Sequence, residues 1–433
     1  MDGKDKEAIA RSLEETRRRT VRLLEPLDDH QLTTQHDPLM SPPIWDYAHI
    51  GAFEELWLVR ALSGAGVLDD DQLRVYDALE TPRVVRRYRR LLDRAEAESY
   101  LAEVRRRALT LLEEVDLHAD DPLVRDGFVY DLVVQHEQQH GETILQTVQL
   151  MPGRYLAELP PLPPFPTDRE VGPSMVEIPG GTYPIGTDLH EPYDNEHPRH
   201  LAQLAAYAID RFPVTNGEYL AFMEDGGYRR RELWSEEGWE WNQTFGTGAP
   251  EYWVKQGSTW LTTCFGCEVP VDSRSPVMHV CYFEAEAYAR WAGKRLPTEF
   301  EWEVAAGWDP VAGRRRRYPW GDDPPTPARA NLDQRQFRPL PVGSFPQGAS
   351  AFGCEQMLGD VWEWTSSDFR PYPGFVAYPY REYSEPFFSG GFKVLRGGSW
   401  ATRPEVARVS FRNWDSRLRR QIFAGLRCAV DLP

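Results

Sequence analysis

A chain of 433 residues is long enough for two or three domains, and 41% hydrophobic with 12% aromatic residues gives it the means to bury a large core. A net charge of −18 argues against a nucleic-acid partner, because phosphate binding needs a basic surface. No apolar run approaches the roughly 20 residues that span a bilayer, and the charged start "MDGKDKEAIARSLEETRRR" has no apolar signal-peptide core, so a cytoplasmic protein with no membrane partner is expected.

Residues 1–150 read as helices. "EAIARSLEETRRRTVRLLEPL", "YLAEVRRRALTLLEEV" and "VYDLVVQHEQQHGETILQTVQL" carry apolar positions at helical spacing, and "SPPIWDYAHIGAFEELWLVRAL" opens with Ser-Pro-Pro, a helix-start signal. Four such helices predict an antiparallel bundle, an architecture that builds metal sites from side chains on facing helices. The cluster "RVVRRYRR" is open to a small anionic substrate.

Residues 151–172, "MPGRYLAELPPLPPFPTDREVG", are proline-rich and predict a semi-rigid linker. From 173 to 433 the chain is rich in Gly, Pro, Trp and Tyr. It reads as an irregular α+β domain of short strands and long loops, with helical patterning limited to "NGEYLAFMEDGG" and "FEAEAYARWAGK". The five cysteines (264, 267, 281, 354 and 428) form an odd, sparse set with a single CxxC, unlike a disulfide framework or a zinc ribbon.

"VVQHEQQHGETILQ" contains His-Glu-x-x-His. His136 and His140 are four apart, so on a helix they project from one face, which also carries Val133, Thr143, Ile144 and Thr147. Two imidazoles need at least a third protein ligand. His49 in "WDYAHIGAFEELW", among Trp45, Ile50 and Phe53, is the natural completion from a facing helix. A zinc protease would use Glu137 as base and take a third ligand further along. The continuation "GETILQTVQL" has no histidine, Glu142 is too near, and Glu158 falls in the proline-rich segment. Three neutral imidazoles with open positions suit iron(II) as well as zinc, and the residues alone leave that choice open.

"HEQQH" with "MSPPIWDYAHIG" resembles the DinB-like bundle of the ergothioneine-biosynthesis sulfoxide synthases, the EgtB family. The second half resembles the formylglycine-generating-enzyme (sulfatase-modifying-factor) domain, a C-type-lectin-like fold. The motifs are "RLPTEFEWEVAA", "YPWGDD", "GCEQMLGDVWEWTSS", "VLRGGSW" and "GLRCAVDL". Together with "SFRNWDSRLRRQIFAGLR" they place the resemblance nearest the mycobacterial-type members, over almost the whole chain.

The resemblance implies an iron(II)- and O2-dependent coupling of a thiol to the imidazole of Nα-trimethylhistidine (hercynine), giving a sulfoxide. The implied donor is γ-glutamylcysteine, with free cysteine as the alternative. His49, His136 and His140 match the family's iron ligands. Tyr380 in "PYREYSEPFF" matches its proton- or hydrogen-donating tyrosine, with Tyr378 and Tyr383 close enough to compete. Asp415 and Arg419 match residues that bind the donor's amine and carboxylate. Arg83 and Arg86 match a second carboxylate-binding pair, in a stretch where this chain departs from the family pattern and Arg87, Arg89 and Arg90 compete. Gln139, Asn413 and Trp414 match positions near hercynine, Trp414 as a cation–π face for the trimethylammonium.

Other readings fit less of the chain. Ovothiol-type synthases resemble this architecture but usually add a C-terminal methyltransferase domain, and this sequence ends at Pro433. Formylglycine generation needs a reactive cysteine pair where the chain reads "ARVSFRNWD". A non-catalytic lectin-like module has no use for a three-histidine set.

Overall fold

The computed structural model describes residues 5–164 and 174–433. Part of the expected linker, 165–172, lies outside the described residues. The chain forms two compact units over those residues. One contains the chain up to Tyr155 together with His190–Tyr193, and the other contains Leu156–Leu189 and Asp194–Pro433.

The first unit is the bundle. Its long helices are Lys6–Leu24, Pro43–Glu54, Arg94–Glu114 and Phe128–Leu150. The start signals act as their chemistry requires. Asp5 accepts from the Ala8 N–H, Asp93 and Glu96 form a reciprocal capping box, and Pro43 occupies the first turn, where its missing N–H costs nothing. A π-helical turn, Glu55–Arg60, extends the second helix. The first helix packs on the Phe128–Leu150 helix, and the Pro43–Glu54 helix packs on both Arg94–Glu114 and Phe128–Leu150. The Pro43–Glu54 helix is buried along its whole length. Short helical pieces at Asp29–Thr33, Asp70–Val75 and Arg83–Arg86 were not marked by periodicity, being too short to show any.

The second unit is built on small sheets. Tyr207–Asp210 pairs with Met175–Ile178 and with Ala429–Asp431, both antiparallel. A four-stranded sheet runs in the order Asn413–Ser416, Phe392–Arg396, Trp362–Asp368, Ala424–Leu426, with only the last pair parallel. Leu156 donates its N–H to Phe265 O at 3.2 Å and Pro160 O accepts from Arg338 at 2.7 Å, so the start of the proline-rich stretch is tied into this unit.

Helical content here exceeds the sequence expectation. Besides Asn216–Glu224 and Tyr282–Trp291, helices form at Glu236–Phe245 and Glu299–Gly307. The latter is opened by a Thr298–Glu301 capping box inside "RLPTEFEWEVAA". Its amphipathic stripe is hidden because its glutamates are buried too: Glu299 pairs with Arg412, Glu303 with Arg396, and Glu301 with Arg295. Arg408–Glu196 and Arg427–Glu363 extend the same device. Such pairs stabilise little in net terms, but losing one partner strands a buried charge, so they fix the path of the chain through Asn413–Ser416.

Candidate metal centre and flanking residues

His136 and His140 sit one turn apart on the Phe128–Leu150 helix, and His49 faces them from the Pro43–Glu54 helix. One ring nitrogen from each lies within 4.8 Å of those of the other two. Ring centroids are 5.0 Å apart for His49–His136, 4.7 Å for His49–His140 and 4.5 Å for His136–His140.

Two of the rings are oriented by hydrogen bonds at Nδ1. The Tyr76 carbonyl accepts from His49 Nδ1 at 2.6 Å, and Asp46 Oδ1 lies 3.0 Å from His140 Nδ1. Engaging Nδ1 leaves Nε2 as the coordinating atom and fixes the tautomer, the arrangement common around protein-bound metals. His136 lies flat on Phe53, centroids 3.6 Å apart and planes within 9°. Burial, with the neighbouring imidazoles, holds His49 and His136 well below the usual histidine range, so both are neutral and able to coordinate at neutral pH. The donor set fits a divalent transition metal. Three imidazoles converge on one point, and among the described residues no carboxylate joins them in the group.

Glu137 points elsewhere. It accepts from Arg17 Nε at 2.9 Å and from the Thr20 hydroxyl at 2.8 Å. Glu54 accepts from both Arg17 and Arg105, so that with Glu137 the cluster joins all four long helices. Gln139 receives the Tyr193 hydroxyl on its side-chain oxygen.

Of the five competing arginines, only Arg86 is buried. Its guanidinium carbon lies 3.3 Å from the Trp45 ring centroid, Nε donates to Thr81 O at 2.9 Å, and Nη1 donates to the Ser41 hydroxyl. Among the described residues no carboxylate forms an ion pair with it, and burial brings it down to about 9. Arg83 is exposed, Arg87 leans on the exposed Tyr88, and Arg90 pairs with Glu96.

Within the second unit the remaining expected residues cluster. Tyr383 lies 6.2 Å from Tyr380 and 5.3 Å from Trp414, edge to face in both cases. Asn413, Trp414 and Asp415 share one strand, in register with Leu395, Val394 and Lys393. Asp415 Oδ2 lies 3.4 Å from Arg419 Nη1, and Arg419 is buried. Phe369 stacks on Trp414 at 4.2 Å, so one indole face is already covered. The Tyr378–Ser384 segment is anchored by Asp194, which accepts from the Ser384 hydroxyl.

Sequence reasoning missed Asp46, Tyr76, Tyr193 and Asp194. Asp46 lies three residues before His49 on one helix face, a signal that was present. The others reach their partners across the fold, and no local pattern marks them.

Residues 163–432 match the sulfatase-modifying factor enzyme 1-like domain, and residues 12–144 match the DinB superfamily. The hercynine oxygenase of Mycolicibacterium thermoresistibile is 49% identical, covering 98% of this chain and 95% of its own length. That of Mycolicibacterium smegmatis is 49% identical over 99% of both. The formylglycine-generating enzyme of Mycobacterium tuberculosis is 31% identical, over 59% of this chain and 97% of its own length.

Proposed function

Because the chain belongs to the family of the hercynine oxygenases, we propose that it is an iron(II)-dependent sulfoxide synthase coupling the thiol of γ-glutamylcysteine to the imidazole of hercynine. The balance is one thiol S–H, one imidazole C–H and one O2 in, and one sulfoxide and one water out. The iron would be held by His49, His136 and His140, and it would supply open positions for thiolate and O2 and pass electrons from the two substrates to O2. The observation that carries this reading is the set of three converging imidazoles, two of them fixed at Nδ1.

The protein's own residues supply recognition and protons. Arg86, a buried cation in no ion pair among the described residues, takes a donor carboxylate, and Arg419 with Asp415 takes the amino-acid end. Tyr380 is the proton or hydrogen-atom donor, with Tyr383 between it and Trp414. Gln139 faces the imidazole of hercynine, its side-chain oxygen set by Tyr193. Asn413 and Trp414 line the hercynine site. The second arginine, Arg83, is exposed and has the weaker claim to a substrate carboxylate.

The test is anaerobic reconstitution with Fe(II), hercynine and γ-glutamylcysteine, then admission of air, with free cysteine run in parallel. O2 uptake and a product with the mass of the sulfoxide support the reading, and the preferred thiol identifies the donor. No coupled product with either thiol, alongside zinc-dependent peptide hydrolysis, would overturn it.

A further inference from the structure

The indole of Trp45 carries two unrelated groups. His49 stacks on it, centroids 4.7 Å apart and planes within 14°, and the Arg86 guanidinium carbon lies 3.3 Å from its ring centroid. The indole is itself fixed, because Nε1 donates to Val75 O at 2.8 Å. The next carbonyl along, Tyr76 O, accepts from His49 Nδ1. The Tyr76 hydroxyl in turn accepts from the Leu92 N–H at 2.7 Å, tying this stretch to the chain just before the Arg94–Glu114 helix. Two consecutive backbone carbonyls therefore set the ring plane of Trp45 and the ring plane of His49.

We propose that Trp45 is a positioning residue serving two sites at once, holding the His49 imidazole in its coordinating orientation and the Arg86 guanidinium in its anion-receiving orientation. The inference rests on the metal and substrate-carboxylate reading above. A stacked guanidinium keeps its in-plane N–H groups aimed outward at a carboxylate while the ring face shields its apolar surfaces. A stacked imidazole resists rotation about its side-chain bonds, and metal sites lose affinity steeply when ligand orientation loosens. A leucine at 45 would fill part of the volume but offer neither group a flat partner.

The test measures two constants that a mere packing role would leave alone in the folded protein. Co(II) titration of the metal-free enzyme gives an affinity and a visible absorption spectrum reporting ligand geometry, and steady-state turnover gives KM for γ-glutamylcysteine. Trp45→Leu should weaken Co(II) binding about tenfold, alter its spectrum, and raise the thiol KM about tenfold, while KM for hercynine moves less than threefold. Arg86→Met should raise the thiol KM alone, leaving Co(II) affinity and spectrum as in the wild type. Trp45→Phe keeps a flat ring but loses the Val75 bond, so both constants should shift together by two- to fivefold; this variant decides the matter if the leucine variant does not fold. A change in only one constant in either Trp45 variant, or wild-type values for both in Trp45→Leu, overturns the proposal. If His136→Ala binds Co(II) as tightly as the wild type, the metal reading falls instead.

Discussion

Arg17 Nε lies 2.9 Å from Glu137 Oε1, and this pair separates the His-Glu-x-x-His spelling from its usual chemistry. The residue after a helical ligand is rotated about 100° from it. Here that rotation carries Glu137 into the buried cluster of Arg17, Arg105, Glu54 and Thr20. Against the cost of burial, Arg105 and Arg17 hold Glu54 below the usual carboxylate range, and Glu137 and Glu54 keep Arg17 charged. Glu137→Ala should therefore destabilise the fold by about 3–5 kcal/mol, the cost of a stranded buried charge, while the folded fraction still binds metal. A protease base would show the reverse, with stability kept and activity lost. Chemical denaturation beside metal titration separates the two.

Asp46 offers a second test. Its Oδ1 orients His140 through Nδ1, and among the described residues no hydrogen bond reaches its Oδ2. Asp46→Ala should lower metal affinity by about 10- to 100-fold, the usual range for losing such an outer partner. Asp46→Asn, which keeps an acceptor oxygen, should lose less. Equal affinity in Asp46→Ala and wild type, measured by competition with a chelator, would show that His140 needs no orienting partner.

The bundle was legible because three of its long helices carry apolar positions at helical spacing and the fourth opens with Ser-Pro-Pro, which puts Pro43 in its first turn. The metal triad was legible for the same reason. A four-residue spacing on a helix is a geometric statement, and His49 sits among buried neighbours on a facing helix. The second unit was legible only as a class. Its Glu299–Gly307 helix buries glutamates against arginines more than 90 residues away in sequence, Arg396 and Arg412, so no hydrophobic stripe announces it. Arg86 could not be told from Arg83, Arg87, Arg89 or Arg90 by composition, since the difference is which one turns onto Trp45.

Asp194 ties pH to the tyrosine segment. Burial raises its carboxyl to about 6, against hydrogen bonds from Ser384 and from the Tyr378 and Asn195 backbones that lower it. A carboxyl raised on folding binds its proton more tightly in the folded state, so its contribution to stability is full below about 4 and is lost as pH rises through about 6. Asp194→Asn cannot titrate. The melting temperature of the wild type relative to this variant should therefore fall between pH 4 and pH 7, by an amount equivalent to about 1–3 kcal/mol. A constant difference across that range would mean that Asp194 ionises as it does in an unfolded chain.

Tyr378, Tyr380 and Tyr383 compete for one chemical role from a single short segment. Tyr383 is engaged edge-on by both Tyr380 and Trp414, which makes it a packing element between them. Tyr378 lies beside the Asp194 anchor through its backbone. Tyr380 stands between these two in sequence, and the proposed function gives it proton or hydrogen donation. Tyr380→Phe removes only the hydroxyl, so metal affinity and both substrate affinities should stay within about threefold of wild type. Sulfoxide yield per O2 consumed should fall at least tenfold, with oxidation of the thiol donor alone taking its place. Tyr383→Phe should lower turnover without changing the ratio of products, since its ring still packs on Trp414. Product ratios by mass spectrometry against O2 uptake read both variants. Unchanged sulfoxide yield in Tyr380→Phe, with loss in Tyr378→Phe or Tyr383→Phe, would move the donor to that neighbour.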